Sequence, residues 1–168
     1  AAERLNVVFF LVDDLGWTDL GCYGSDFYET PHVDRLAKEG MKFTDAYAAS
    51  CVCSPTRVSI LTGKYPGRLH ITHAIPIQGA ERIKEPLPLI EAIYKKNLPL
   101  EEGTIAEALK QTGYTTAHFG KWHIGSMRAD GAASPGNSGF DDWFSSPNFY
   151  ENSPLFSHNG QVIETDGE

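Results

Sequence analysis

Six consecutive apolar residues, Val7-Val8-Phe9-Phe10-Leu11-Val12, end abruptly in Asp13-Asp14, and no other stretch constrains the fold so tightly. The run is rich in β-branched and aromatic residues and too short for a convincing helix. It reads as a strand buried on both faces. Strands of that kind belong to parallel sheets with helices on either side, so the expected fold class is α/β with a mostly parallel central sheet. Successive strand side chains alternate in direction, and two adjacent carboxylates therefore converge only where the backbone leaves the strand. Gly16 supplies a place to turn. A carboxylate pair at the C-terminal end of a central strand lies where open α/β sheets bind ligands. The same two residues also fit a polar turn or a helix cap.

The second loaded stretch is Cys53-Ser54-Pro55-Thr56-Arg57, continuing through Val58-Ser59-Ile60 to Leu61-Thr62-Gly63-Lys64. Pro55 in a first turn, a short apolar-periodic run and Gly63 to close it predict a short helix capped by Ser54. Cys53 then stands at a helix N-terminus, where orphan N–H groups and the positive dipole end favour an anion or an activated side chain. Arg57, four residues on, shares roughly the same face. Taken alone, the pair also fits a buried Cys and a solvated Arg.

Further along, Thr30-Pro31 followed by Val33, Leu36, Ala37 and Gly40 predicts a short helix with His32 on the surface. Met41 to Tyr47 reads as extended. His70 to Pro99 holds several prolines without sustained periodicity and reads as a long loop. Thr104 and Glu107 form a capping box ahead of Ile105, Ala108 and Leu109, and Gly113 stops that helix. Tyr114 to Phe119 reads as a strand delivering Gly120-Lys121-Trp122-His123-Ile124-Gly125. Lys121 and His123 by themselves fit surface residues equally well. After Ser126 the composition shifts to Gly, Ser, Asn and Pro, with no periodic segment, no repeat and no domain boundary.

Several alternatives fail on spacing. His70 and His73 near Cys51 and Cys53 do not match zinc-site spacings. Val58 occupies the place of the first P-loop glycine. Cys53 and Arg57 are too close in sequence for a thiol phosphatase loop. The 168 residues carry 14 Lys plus Arg against 22 Asp plus Glu, a net charge of −8 that disfavours nucleic acid as a nonspecific partner. No apolar run approaches the ~20 residues needed to span a bilayer. Three cysteines build no disulfide framework. Cys22 reads as a small buried hydrophobe, with a Cys22–Cys51 bridge left open. No signal peptide is visible, and the start at Ala1-Ala2-Glu3-Arg4 suits a processed N-terminus. We expect an exported protein, whether periplasmic, secreted or lysosomal.

Together these stretches resemble the sulfatase family of the alkaline phosphatase superfamily. Cys53-x-Pro55-x-Arg57 with Leu61-Thr62-Gly63-Lys64 is similar to the family signature, Thr56 standing where members usually carry Ser. The strand ending in Asp13-Asp14 before Gly16-Trp17-Thr18-Asp19-Leu20-Gly21 resembles the family's N-terminus. Thr30 to Ala37 resembles a scaffold segment, and Gly120-Lys121-Trp122-His123-Ile124-Gly125 resembles the motif whose Lys and His contact the sulfate. Gly139-Phe140-Asp141-Asp142-Trp143-Phe144-Ser145-Ser146-Pro147-Asn148 resembles a segment of sulfatases acting on sugars, the N-acetylgalactosamine-6-sulfatase kind among them.

The resemblance implies an alkaline-phosphatase-like fold and makes residues 1–168 the N-terminal portion of a catalytic domain whose C-terminal portion is absent. It implies hydrolysis of a sulfate ester, of a carbohydrate or other small molecule, without nucleic-acid or membrane partners. It further implies that a formylglycine-generating enzyme converts Cys53 to formylglycine, and that Asp13, Asp14 and modified Cys53 bind one calcium ion. A hydroxyl of the hydrated aldehyde then attacks sulfur and the alcohol leaves; the second hydroxyl is deprotonated and expels sulfate, regenerating the aldehyde, with His123 as its base or as a donor to the sulfate. Arg57 polarises the site and Lys121 neutralises charge on the oxygens. Calcium takes ~6 to 8 oxygen ligands, which waters or Asp141 and Asp142 would have to complete. The fragment alone is expected to be inactive. Two other readings stay open: a phosphomonoester or phosphonate ester hydrolase of the same superfamily, and a non-catalytic fragment that binds sulfated glycans.

Overall fold

The computed structural model describes residues 4–76, 89, 90, 92–148 and 155–163. The chain divides into two compact units, residues 1–47 and 48–168.

In the first unit, Thr30 precedes helix α1 (Pro31–Glu39), which Gly40 ends. The Thr30 hydroxyl caps no helical N–H. It accepts from Gly21 N–H (2.8 Å) and donates to Asp34 Oδ1 (3.0 Å). Asp34 Oδ1 also accepts from Cys22 N–H (2.7 Å), so α1 is tied to the 3-10 turn Gly21–Tyr23 through one carboxylate. His32 is exposed as expected, and the apolar stripe is open too, with Val33 at 42% and Leu36 at 67% exposure.

The run at Val7–Val12 departs from the sequence expectation. Residues 4–12 form no strand, and Val7, Val8, Phe9, Phe10 and Val12 are 61–84% exposed. A strand exists only through its ladder, and burial on both faces needs covering layers. All four described strands come from the second unit instead.

The second unit carries α2 (Cys53–Thr62), α3 (Pro66–Leu69), α4 (Ile105–Gln111) and a sheet of β1 (Ala117–Lys121), β2 (Asp142–Ser146), β3 (Phe156–His158) and β4 (Gln161–Ile163) in that order. β1 and β2 are parallel, with Ala117 opposite Asp142 and Lys121 opposite Ser146. The other two pairs are antiparallel, so the fold is α/β with a mixed sheet. β1 begins later than the sequence predicts and includes Lys121 itself. The capping box is present: Thr104 Oγ1 accepts from Glu107 N–H (3.2 Å) and Glu107 Oε2 accepts from Thr104 N–H (2.7 Å).

Strands β2 to β4 were not visible as periodic segments. β3 and β4 are joined by Asn159-Gly160, both at positive φ (50° and 89°), with His158 opposite Gln161. An Asn-Gly pair between short apolar runs is the strongest short-range hairpin signal, because both central residues of such a turn need φ above zero. Of the loop expected over 70–99, residues 71–76 and 92–98 carry no helix or strand, and 77–88 and 91 lie outside the described residues.

The core joins Val58 of α2, Leu69 of α3, Ile71, Ile75, Leu98, Trp122, Ile124 and Ala133, with Leu61 and Phe140 packed against it. Trp122 is 2% exposed and its Nε1–H donates to Ala133 O (2.8 Å). Cutting a side chain of this kind to Ala costs about 3–5 kcal/mol.

Thr104 offers a direct check on this packing. Its hydroxyl also donates to the Ser138 carbonyl (2.7 Å), a bond away from water. Thr104→Ala removes the cap and strands that acceptor, so urea unfolding should show a loss of about 2–3 kcal/mol. Glu107→Gln keeps the reciprocal geometry and should cost less than about 0.5 kcal/mol.

Candidate active site

Helix α2 places its first turn against the end of β1. Val52 is its N-cap, Cys53 its first residue, and Gly63 closes it with φ 68°. Ser54 is therefore inside the helix and is not its cap. Its side chain, fully buried, donates from Oγ to the His123 carbonyl (2.7 Å) and accepts from the Ile75 N–H (3.0 Å). Thr56 Oγ1 donates to the Ser50 carbonyl (2.8 Å). That bond needs only the hydroxyl, so Thr in place of Ser leaves it intact.

Arg57 is 8% exposed and its guanidinium donates to the backbone carbonyl of Lys121. Lys121 (5%) and His123 (7%) are buried alongside. Neither Arg57, Lys121 nor His123 is the solvated surface residue that a reading of each alone allowed. The polypeptide turns sharply after β1, with Trp122 N–H donating to Ser146 O (2.8 Å), His123 at φ 56° and Leu98 N–H donating to Ile124 O (2.9 Å). Gly125 packs so closely on the 132–133 backbone that a Cβ there would lie 2.6 Å from the Ala133 carbonyl oxygen. The His123 ring meets Ile75 O through Nε2 at 2.8 Å. A carbonyl oxygen can only accept, so Nε2 carries the proton and, in the neutral ring, Nδ1 holds the basic lone pair.

From the helix that Cys53 begins, the Ser54 hydroxyl and the Arg57 guanidinium thus meet the backbone carbonyls of His123 and Lys121, all within the second unit. Asp13 and Asp14 belong to the first, on a turn in which Asp14 takes φ 59°, Asp13 being half-buried and Asp14 exposed. Among the described residues no group of three His, Cys, Asp or Glu side chains is arranged to hold a metal ion. Asp141 is committed elsewhere: Oδ1 pairs with Lys110 (2.6 Å), and Oδ2 accepts from Thr116 N–H (3.0 Å) and Oγ1 (3.2 Å). Lys110 first, then the Thr116 N–H, hold its carboxyl below the usual range. Asp142 pairs with His158 (3.4 Å). Trp143 packs on Gly136, where a Cβ would lie 2.5 Å from its ring. Cys22, Cys51 and Cys53 are free thiols, Cys22 half-buried in the first unit and Cys51 exposed in the second. His73 stacks on Tyr94 (5.6 Å between rings).

The sequence reading missed Ser54 as a link and His118 altogether. His118, on β1, bonds Ser145 Oγ through Nδ1 (2.7 Å) and meets the Trp122 ring edge to face at 4.9 Å. Burial, then the nearby Arg57 charge, pushes its pKa from 6.5 down to about 4, against a backbone bond to Lys121 that raises it. Its place in β1 beside the Lys-Trp-His stretch was the available signal.

A family model described as Sulfatase matches residues 5–161. The chain is 41% identical over 150 residues to N-acetylgalactosamine-6-sulfatase of Rattus norvegicus, covering 88% of this chain and 26% of that protein. It is 40% identical over 146 residues to arylsulfatase G of the same organism, covering 87% of this chain and 24% of that one. The chain thus spans about a quarter of the length of these relatives. Among solved structures, one in complex with its substrate D-glucosamine-2-N,6-O-disulfate superposes with a TM-score of 0.73 at 28% identity, over 97% of this chain and 28% of that one.

The His118 environment predicts acid sensitivity. Between pH 6.5 and about 4 the unfolded chain takes up a proton that the folded chain refuses, so stability falls as pH is lowered through that window. The loss approaches ~3 kcal/mol. Denaturation midpoints measured across pH 4–7 should flatten over this range in His118→Gln relative to wild type.

Proposed function

The chain belongs to the sulfatase family, and from that premise we propose that it is the N-terminal portion of a catalytic domain whose full-length protein hydrolyses sulfate esters of carbohydrates. One observation carries the reading: the first turn of α2, headed by Cys53, meets the Lys121–His123 turn through buried bonds from Ser54 and Arg57. The carbohydrate class rests on the relative named for N-acetylgalactosamine 6-sulfate chemistry and on the neighbour bound to a sulfated glucosamine.

A thiol is a poor nucleophile for a sulfate ester. Conversion of Cys53 to formylglycine by a formylglycine-generating enzyme would supply a hydroxyl nucleophile instead, and the residue's place as the first of α2 suits that role, since the helix end favours developing negative charge. Arg57 holds the Lys121 backbone and keeps a fixed positive charge beside the helix start. The Lys121 ammonium is assigned to the sulfate oxygens, where burial strengthens its attraction. His123 keeps one proton on Nε2 against Ile75 O and accepts or returns another at Nδ1.

Calcium is the implied metal. Asp13 and Asp14 fit it in kind, as hard carboxylate oxygens, and they would hold it together with the modified Cys53. They do not suffice in number, because calcium takes ~6 to 8 oxygens. Asp141, with both oxygens engaged, is an unsuitable addition, so the remaining ligands are assigned to further chain and water. When bound, the ion would favour the deprotonated form of the nucleophile. No helix among the described residues is long and apolar enough to cross a membrane; the export assignment is part of the same proposal.

The test uses the full-length protein coexpressed with a formylglycine-generating enzyme. The Cys53 peptide should change in mass and react with hydrazide probes, and sulfate release from an aryl or amino-sugar sulfate should exceed turnover of the matching phosphate. Cys53→Ala should abolish both labelling and turnover. Lys121→Ala and Arg57→Ala should each lower kcat/KM by about 10²-fold or more. Asp13→Asn should weaken calcium binding measured by calorimetry as well as activity. Labelling at Cys22 or Cys51, or full activity after removal of Cys53, would overturn the proposal.

A further inference from the structure

Ser54 stands between the two halves of the candidate site and takes part in none of the chemistry assigned above. Its single hydroxyl proton is committed to the His123 carbonyl, because a carbonyl only accepts, and a lone pair is committed to the Ile75 N–H, which only donates. The rotor therefore has one satisfying orientation. The His123 imidazole returns to the same residue, donating from Nε2 to the Ile75 carbonyl. Ser54, Ile75 and His123 form a closed ring of hydrogen bonds among three segments far apart in sequence, and the Ser54 side chain has no exposure at all. His123 meanwhile sits at φ 56°, a left-handed conformation that a residue with a side chain adopts rarely and that persists only when its surroundings impose it.

We infer that Ser54 is a positioning residue: its hydroxyl holds His123 in the left-handed turn and, through Ile75, holds the imidazole with Nε2 protonated and Nδ1 available as the base. The residue next to Cys53 in sequence thus aims the imidazole contributed by the other end of the site. An alanine here would leave the Ile75 N–H and the His123 carbonyl buried without this partner, and relief comes most readily if the His123 turn relaxes. The inference rests on the proposed function for its kinetic consequence, although its structural consequence can be read without turnover.

The experiment compares full-length wild type, Ser54→Ala and Ser157→Ala. Ser157 is a fully buried serine on β3 whose Oγ donates to the Met127 carbonyl (2.8 Å), so its variant loses a comparable bond away from the site. Ser54→Ala should lower kcat roughly ten- to a hundredfold while KM stays within about threefold, and should shift the pH-profile limb that reports the base. Crystal structures should show the His123 ring displaced from Ile75 O in Ser54→Ala alone. Ser157→Ala should keep the wild-type kcat and pH profile. If Ser54→Ala fails to fold, Ser54→Cys, which keeps nearly the same size with a weaker donor, is judged by the same criteria. A wild-type kcat and pH profile in the Ser54 variant, an unmoved His123, or equal kinetic losses in both serine variants would overturn the inference. Absence of sulfate-ester turnover by the modified wild type would instead overturn the proposed function, and the position of His123 would still decide the role of Ser54.

Discussion

The second unit depends on a buried polar seam between the first turn of α2 and the end of β1. Arg57 brings a permanent charge into a place where only 8% of its surface meets solvent, and such a group is tolerated only with strong acceptors around it. The Lys121 carbonyl, at the last position of a parallel strand, is one of them. Trp122 follows and fills the core, and His123 turns back to meet Ser54 and Ile75. The core and the candidate site are consequently built from adjacent residues, Val58 following Arg57 and Trp122 lying between Lys121 and His123. Val58, one position after Arg57, is buried among the apolar side chains, while Arg57 itself faces the polar seam.

The same seam explains His118. A histidine beside a buried guanidinium and against Trp122 is most stable neutral, and its Nδ1 contact with Ser145 links the parallel pair β1–β2 at the level of the site. Burial first, and the Arg57 charge after it, therefore leave a mark on the stability of the sheet that carries His118. Lys110 and Asp141 do comparable work on the far side of β1, where the carboxylate ties α4 to Thr116 at the strand's entry.

Particular residues show how far the chain could be read beforehand. The capping box at Thr104 and Glu107, the Pro31 and Cys53 helices with Gly40 and Gly63 at their ends, and the strand leading to Lys121 were legible because each depends on neighbours within a turn or two. The Asn159-Gly160 hairpin was equally local and was passed over. β2 was harder. Trp143 and Phe144 alternate over too few residues to show a period, and the strand is defined by its parallel partner 25 positions earlier in the register Ala117–Asp142. Val7–Val12 shows the reverse case, a strong apolar run whose strand character requires neighbours that the described residues do not supply.

The sequence by itself determined the helices at Pro31, Cys53 and Ile105, the α/β class, the family, and Cys53, Arg57, Lys121 and His123 as candidate site residues. These follow from short-range dihedral preferences, caps and motif order, all of which are written within a few residues of where they act. Only the tertiary structure decided what those residues do to one another. It made Ser54 a bridge and not a cap, assigned the proton of His123 to Nε2 and turned Asp141 into a strut for α4. Each of those outcomes depends on which carbonyl or N–H from a distant segment arrives within hydrogen-bond distance, and burial makes that arrival decisive because a polar group removed from water must take the partner the fold provides.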